Sequence, residues 1–100
     1  MRGKYRVVYA TRAVQRHFEH FLNRIPPKQR QRMMDAVSGL ADNPRPYKSI
    51  NLALPVSVYE LAAHYRLRVG DYRILYDIDD AQKRVFLLDL RKRDEHTYRS

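Results

Sequence analysis

Apolar residues recur at helical spacing in the first quarter of the chain. They follow one another at steps of three and four, which predicts a helix with one buried face formed by Val14, Phe18, Phe21, Leu22 and Ile25. Thr11 precedes this stretch and is expected to cap its start. Pro26 and Pro27 end the helix because proline lacks an N–H, and they begin the next one, whose first turn tolerates proline.

The second helix has an apolar side of its own, formed by Met33, Val37, Leu40 and Ala41. It is expected to end at Asn43-Pro44-Arg45-Pro46, since the residue before a proline avoids helical geometry. Before the first helix, the run from Arg6 to Tyr9 (RVVY) predicts a short strand. The first half of the chain is therefore predicted to be a strand followed by a helical hairpin.

From Val58 onwards the alternation has a period of two, which is the spacing of β-strands. Tyr65, Leu67 and Val69 alternate with two arginines, and in residues 72–78 (YRILYDI) the apolar positions Tyr72, Ile74, Tyr76 and Ile78 alternate with Arg73, Leu75 and Asp77. In residues 85–91 (VFLLDLR), Phe86, Leu88 and Leu90 alternate with Val85, Leu87, Asp89 and Arg91. Between the first two runs stands Gly70-Asp71, a two-residue turn with glycine first, which predicts a type II′ hairpin. This half is therefore predicted to be an antiparallel sheet.

Residues 47–57 fit neither period and are predicted to be a loop or an irregular edge, because Pro55 disfavours a central strand. Taken together, the patterns predict an α+β fold, with an N-terminal strand and a helical hairpin packed on the apolar face of a small antiparallel β-sheet. A length of 100 residues is that of a single domain, which we place at residues 1–100.

The net charge of +9 predicts attraction to polyanions, and it is unevenly distributed. Residues 1–50 carry 11 Lys and Arg against three acidic residues, whereas residues 51–100 carry nine against eight. The excess is explained either by a nucleic-acid partner, by an acidic protein partner or by solubility alone. The chain has no cysteine and no apolar run of membrane-spanning length, so we expect a cytoplasmic protein without disulfides or thiolate metal sites.

Arginines occur at particular places in the predicted hairpin. If Gly70-Asp71 is the turn, Arg68 lies opposite Arg73, and their Cβ atoms are about 5 Å apart. Arg66 lies one step further on the same face, and Arg91 and Arg93 join it if the last strand runs that far. Like charges in this position are unfavourable, whereas a guanidinium fork binds phosphate oxygens bidentately. The pattern therefore indicates a phosphate-binding face.

An alternative explanation is an ordinary solvated face, on which Asp77 and Asp89 pair with some of the arginines. Under either explanation we expect the side chain of Arg73 to be exposed. The run Arg91-Lys92-Arg93 adds further cations that suit RNA binding, or it is a solvated terminus.

Residues 65–76 (YRLRVGDYRILY) and 91–98 (RKRDEHTY) resemble the RelE/ParE superfamily of bacterial type II toxin–antitoxin modules, and the RelE branch most closely. Asn43-Pro44-Arg45-Pro46 after a helical hairpin is similar too, so the resemblance covers nearly the whole chain. It implies a RelE-like fold and a toxin held by a cognate acidic antitoxin. Contact with DNA is expected only through that antitoxin complex.

The RelE branch cleaves messenger RNA on the ribosome without a metal or other cofactor, by attack of the substrate's own 2′-OH on the adjacent phosphate. By resemblance, Arg73 stabilises the charge of the phosphorane and Arg93 assists the leaving 5′-oxygen. Tyr98 orients or stacks a base. Arg66 and Arg68 stand where that branch carries lysines, and by this resemblance they bind RNA phosphate.

The base that accepts the 2′-OH proton is not settled by the resemblance. Arginine stays charged above pH 12, so Arg66 and Arg68 bind phosphate but are poor bases. The other titratable candidates are His64, His96, Glu95 and Asp89. We rank His96 first, because it lies between Arg93 and Tyr98 in the sequence and histidine titrates near neutrality.

The ParE branch shares the fold, inhibits DNA gyrase and lacks the nuclease residues. Arg73, Arg93 and Tyr98 favour the RelE branch. A gyrase inhibitor and a non-catalytic RNA-binding protein stay open as alternatives.

Overall fold

The structure is a computed structural model, and it describes residues 4–92 of the chain. The elements follow in the order β1 (Arg6–Tyr9), α1 (Arg12–Arg24), α2 (Pro27–Gly39), β2 (Ser49–Val58), β3 (Leu61–Val69), β4 (Tyr72–Asp79) and β5 (Arg84–Lys92). Within these residues the five strands form one sheet in the order β1-β5-β4-β3-β2. The predicted α+β class is confirmed.

The sheet is mixed rather than purely antiparallel as predicted. β1 runs parallel to β5, while the other three strand pairs are antiparallel. The two helices connect the two edges of the sheet, β1 at one and β2 at the other. Because the helices cross from one edge to the other, the first strand pairs with the last. The alternation of residues within each strand does not predict this pairing.

The predicted start of α1 is confirmed by its cap, whereas α2 ends at Gly39, and a turn over residues 40–42 precedes the predicted stop at Asn43-Pro44-Arg45-Pro46. The Thr11 Oγ1 accepts a hydrogen bond of 3.1 Å from the Val14 N–H at the start of α1. At the other end, Arg30 of α2 donates to the main-chain oxygens of Leu22 and Ile25 at 3.0 and 3.1 Å. This arginine satisfies carbonyls that the end of a helix leaves open. No helix within residues 4–92 has the length and apolarity to cross a membrane.

The main core lies between the helices and one face of the sheet. Its fully buried members include Phe18, Met33 and Leu40 from the helical half and Ile74 and Tyr76 from the sheet. A smaller cluster contains Leu75, which follows Ile74 in the strand and therefore points to the other face. The second face of the sheet is thus only partly apolar, and it is the face on which the arginines lie.

The predicted hairpin register is confirmed, with Val69 opposite Tyr72 and Arg68 opposite Arg73. Gly70 has a φ of 58°, and Asp71 is not among the residues with positive φ. Type I′ requires positive φ at both central residues and type II′ only at the first, so the turn is the predicted type II′.

Residues 49–58 form the edge strand β2, so the prediction of a loop there is wrong and that of an irregular edge is confirmed. The register of β2 against β3 shifts between Asn51 and Val56, a segment that contains Pro55. An edge strand accommodates a proline because the missing N–H need not face a neighbouring strand.

Gly70→Ala is expected to lower the free energy of unfolding by about 1–2 kcal/mol, the cost of a left-handed backbone for a residue with a Cβ. A steric clash does not contribute to this cost, because the nearest atom to an added Cβ is a guanidinium nitrogen of Arg32 at 3.4 Å, an ordinary contact with a flexible side chain. Gly39→Ala is the matched control, because a Cβ there meets nothing within 4 Å. It should be neutral or stabilising. Urea unfolding of both variants measures the difference, and equal midpoints would contradict the assigned turn.

Candidate functional site

Three arginines lie side by side across the three central strands of the sheet, near the turn between β3 and β4. Arg68 on β3 is opposite Arg73 on β4, and Arg73 is opposite Arg91 on β5. Residues opposite one another in antiparallel strands share a face, with Cβ atoms about 4.5–5.5 Å apart. Arg66 joins them by alternation along β3. We call these four residues and the surface around them the arginine face.

The members of the arginine face differ in exposure. Arg68 and Arg91 are exposed, whereas Arg66 and Arg73 are half-buried. The Nη2 atom of Arg73 is shielded from solvent. The expectation of an exposed Arg73 is therefore wrong, because this residue lies on β4 with a hydrogen-bonded strand on each side. Its guanidinium is held in a drier environment than a surface arginine.

Asp89 on β5 is the one buried charged residue between residues 4 and 92, at 7% exposure. The Arg91 Nε donates a hydrogen bond of 2.7 Å to its Oδ2. The N–H of Leu90 donates to its Oδ1 at 2.8 Å, and the Nε2 of His17 lies 3.2 Å from the same oxygen. A buried carboxylate needs such partners. Asp89 therefore holds Arg91 in place and links it to α1.

Asp77, the other acidic residue suggested as an arginine partner, lies next to a histidine. Its Oδ2 is 3.2 Å from the Nδ1 of His64 on the neighbouring strand. The acidic pairing suggested from the sequence is thus found for Asp89 and Arg91, while Asp77 pairs with His64. Among residues 4–92, no three His, Cys, Asp or Glu side chains come together as a metal site.

Three predicted site residues, Arg93, His96 and Tyr98, lie outside the described residues, as does Glu95, so their roles stay predictions. The predicted RNA-binding residue Lys92 is described, and it is not on the arginine face. Lys92 is opposite Tyr72, whose ring contacts Phe21 of α1 edge-to-face at 6.0 Å. Lys92 therefore lies on the helix-covered face and not beside Arg91.

The contacts of His17 with Asp89 and of His64 with Asp77 were not predicted from the sequence. His17 stands three residues after Val14 and four before Phe21, at the border of the apolar stripe of α1, which is the signal that places it against the sheet. For His64, the alternation with Arg66 and Arg68 predicts the correct face. Neither signal identifies the carboxylate partner.

A separate polar cluster joins the loop after α2 to the turn between β4 and β5. Arg45 donates to the Asp80 Oδ2 at 2.8 Å and to the Tyr65 Oη at 3.1 Å, and the Tyr5 Oη donates to the Asp80 Oδ1 at 2.6 Å. The hydrogen bond from Arg45, with that from Tyr5, lowers the pKa of Asp80 to about 2. Since Tyr65 stacks on Tyr76 of the main core, this cluster serves the fold and not the arginine face.

The Asp80 cluster is expected to make the protein sensitive to acid. The folded pKa of about 2 is below the usual value of 3.8, so the stabilisation is present above about pH 4 and is lost as the pH falls towards 2. Urea midpoints measured between pH 2 and pH 6 should fall on acidification, and less steeply in Asp80→Asn. Asp42→Asn is the control. The same slope in wild type and Asp80→Asn would contradict this contribution.

Comparison with known proteins gives one family and similar solved structures. The family model described as the ParE toxin of type II toxin-antitoxin system, parDE, matches residues 8–97. The structure of an archaeal RelE-RelB complex from Pyrococcus horikoshii OT3 contains a chain that is 25% identical, with a TM-score of 0.70, covering 92% of this chain and 98% of that one. No curated protein matches.

A second similar structure is that of the toxin-antitoxin complex RelBE2 from Mycobacterium tuberculosis. Its matching chain is 27% identical, with a TM-score of 0.64. The match covers 90% of this chain and 99% of that one. Both similarities thus extend over nearly the full length of each protein.

Proposed function

The chain belongs to the ParE toxin family of type II toxin–antitoxin systems and is the toxin of such a module, and we propose that it acts by metal-independent, ribosome-dependent cleavage of messenger RNA. The observation that supports this activity is the row of Arg68, Arg73 and Arg91 across three adjacent strands. Guanidinium groups bind phosphate oxygens bidentately, so the row suits the backbone of RNA.

Arg73 is proposed to act on the reacting phosphate. Attack by the 2′-OH of RNA on the neighbouring phosphorus places extra negative charge on the phosphoryl oxygens. Arg73 is half-buried in the middle of the row, where a fixed positive charge stabilises such a charge more strongly than in water. Arg66 and Arg68 would hold flanking phosphates, and Arg91 would do so from the position in which Asp89 keeps it.

The roles proposed for residues beyond position 92 rest on the resemblance to the RelE branch. Arg93 would assist the departure of the 5′-oxygen and Tyr98 would orient or stack a base. Lys92 would bind RNA from the edge of the other face. His96 remains the candidate base that the sequence favours. The ribosome would present the messenger RNA in a fixed geometry, which is a large part of catalysis at a site made mostly of arginines.

An antitoxin is the protein partner, since both similar structures are complexes of a toxin with its antitoxin. We propose that this partner is acidic, because the toxin has a net charge of +9 and complementary charge favours rapid and specific association. The toxin and its complex would be located in the cytoplasm. DNA would be reached only through the antitoxin.

The matching family model is that of the ParE toxin, and this favours a gyrase inhibitor as the second candidate. Induction of the chain without antitoxin in a bacterial host separates the two. Messenger RNA cleavage predicts an immediate fall in incorporation of labelled amino acids, while gyrase inhibition predicts relaxed plasmid DNA with translation initially intact. Free expression without any effect on growth would contradict both functions.

A further inference from the structure

The arginine face has two histidines that contact carboxylates, and they do so through different ring nitrogens. His64 has its Nδ1 3.2 Å from the Asp77 Oδ2, whereas His17 has its Nε2 3.2 Å from the Asp89 Oδ1. A carboxylate favours the proton on the nitrogen that it faces, which leaves the other nitrogen as the acceptor. In His64 the acceptor is therefore Nε2, at the tip of the ring. In His17 it is Nδ1, the nitrogen nearest its own main chain.

The position of His64 also relates it to the arginines. It precedes Arg66 by two residues on β3, so both side chains are on the arginine face and start about 7 Å apart along the strand. The side chain of His64 is 47% exposed, which leaves it accessible to a large substrate. The carboxylate partner Asp77 is on β4, one of the two strands hydrogen-bonded to β3.

We propose that His64, oriented by Asp77, accepts the proton of the attacking 2′-hydroxyl, and this inference rests on the proposed RNA cleavage. The arginines cannot serve, because their guanidinium groups stay protonated. A nucleophile, a base within reach and a third group that orients the base form the arrangement required for activation of a hydroxyl. His64 provides a base on the same face as the arginines and Asp77 provides the group that orients it, while the arginine row provides the charge stabilisation.

The reaction step balances without a further reactant. The Nε2 of His64 takes the proton from the 2′-OH as the bond from O2′ to phosphorus forms. The bond from phosphorus to O5′ breaks, and the leaving oxygen takes a proton from water. The products are a 2′,3′-cyclic phosphate and a 5′-hydroxyl end, and the imidazolium returns its proton to solvent.

The charged groups around His64 come from two strands. Asp77 contacts it from β4, and Arg66 follows it by two residues on β3. The β2 residues beside it, 52–55, have no charged side chain.

Single-turnover cleavage of messenger RNA on programmed ribosomes, measured between pH 5 and pH 8, tests the inference. The wild-type rate should rise through the range in which histidine changes charge. His64→Gln should lose at least about 100-fold in rate together with that rise, with unchanged affinity for the ribosome. Asp77→Asn should lose about 10-fold or more, and Asp77→Glu should restore part of the rate.

The control is His20→Gln, an exposed histidine on α1 outside the arginine face, which should keep the rate and the pH profile. His96→Gln separates the two candidate bases, because only the variant that lacks the true base should lose the rise of the cleavage rate with pH. A pH profile that survives in His64→Gln, or one that disappears in His96→Gln instead, would overturn the assignment to His64. A wild-type chain that cuts no RNA would refute the proposed function itself.

Discussion

Arg73→Ala is expected to lower the rate of ribosome-dependent RNA cleavage by about 100- to 1000-fold, the loss seen when one charge-stabilising donor is removed from an active site. Arg73 is the central member of the arginine row and its Nη2 is shielded from water. A guanidinium held in that position is already oriented, so little solvent or side-chain movement is needed when the negative charge of the phosphorane forms. The loss should therefore appear in kcat more than in the affinity for the programmed ribosome.

Two further variants make the Arg73 prediction specific. Arg73→Lys keeps the charge but not the bidentate fork, and its rate should fall between those of wild type and alanine. Arg84→Ala removes an exposed arginine from the start of β5 and should leave the rate unchanged. Because Arg73 is half-buried, urea unfolding must accompany the kinetics. Wild-type cleavage by a folded Arg73→Ala variant would show that Arg73 has no catalytic role.

Asp89→Ala is expected to lower the free energy of unfolding by about 1.5–3 kcal/mol and to weaken RNA binding as well. Its carboxylate is buried and receives hydrogen bonds from the Arg91 Nε and the Leu90 N–H. Bonds to a charged group are worth about this amount, and the removal leaves a polar site without its acceptor. Arg91, no longer held, would sample other rotamers and bind phosphate less well.

An exposed carboxylate provides the comparison for Asp89. Asp35 accepts one hydrogen bond from Gln31 on the surface of α2, and Asp35→Ala should change the free energy of unfolding by less than about 0.5 kcal/mol. A double-mutant cycle of Asp89→Ala with Arg91→Ala should show coupling, because the two side chains are in contact. Additive effects would mean that Asp89 does not hold Arg91.

Local patterns in the sequence were sufficient to predict the hairpin and the arginine row. A period of two assigns each side chain to a face, and a two-residue turn with glycine first determines which residues stand opposite one another. Arg68 and Arg73 are therefore paired by the turn alone, as the structure confirms. The caps of α1 are equally local, since Thr11 and Val14 are three residues apart.

The features that were not predicted depend on residues far apart in the chain. His17 and Asp89 meet because α1 lies against β5, and β1 pairs with β5 because the helices connect the two edges of the sheet. The burial of Arg73 has the same origin, since it depends on which strand is central and not on alternation. Residues 49–58 were not predicted as a strand because they contain Pro55, but a strand at the edge of a sheet tolerates a proline.

The measurement that tests the central claim most directly is primer extension on messenger RNA incubated with the purified toxin. New 5′ ends should appear when ribosomes are present, be absent from free RNA, and be lost or strongly reduced with Arg73→Ala. Addition of the cognate antitoxin should abolish them. Messenger RNA that stays intact on the ribosome, while the same toxin blocks supercoiling by gyrase, would contradict the account and establish the gyrase-directed function instead.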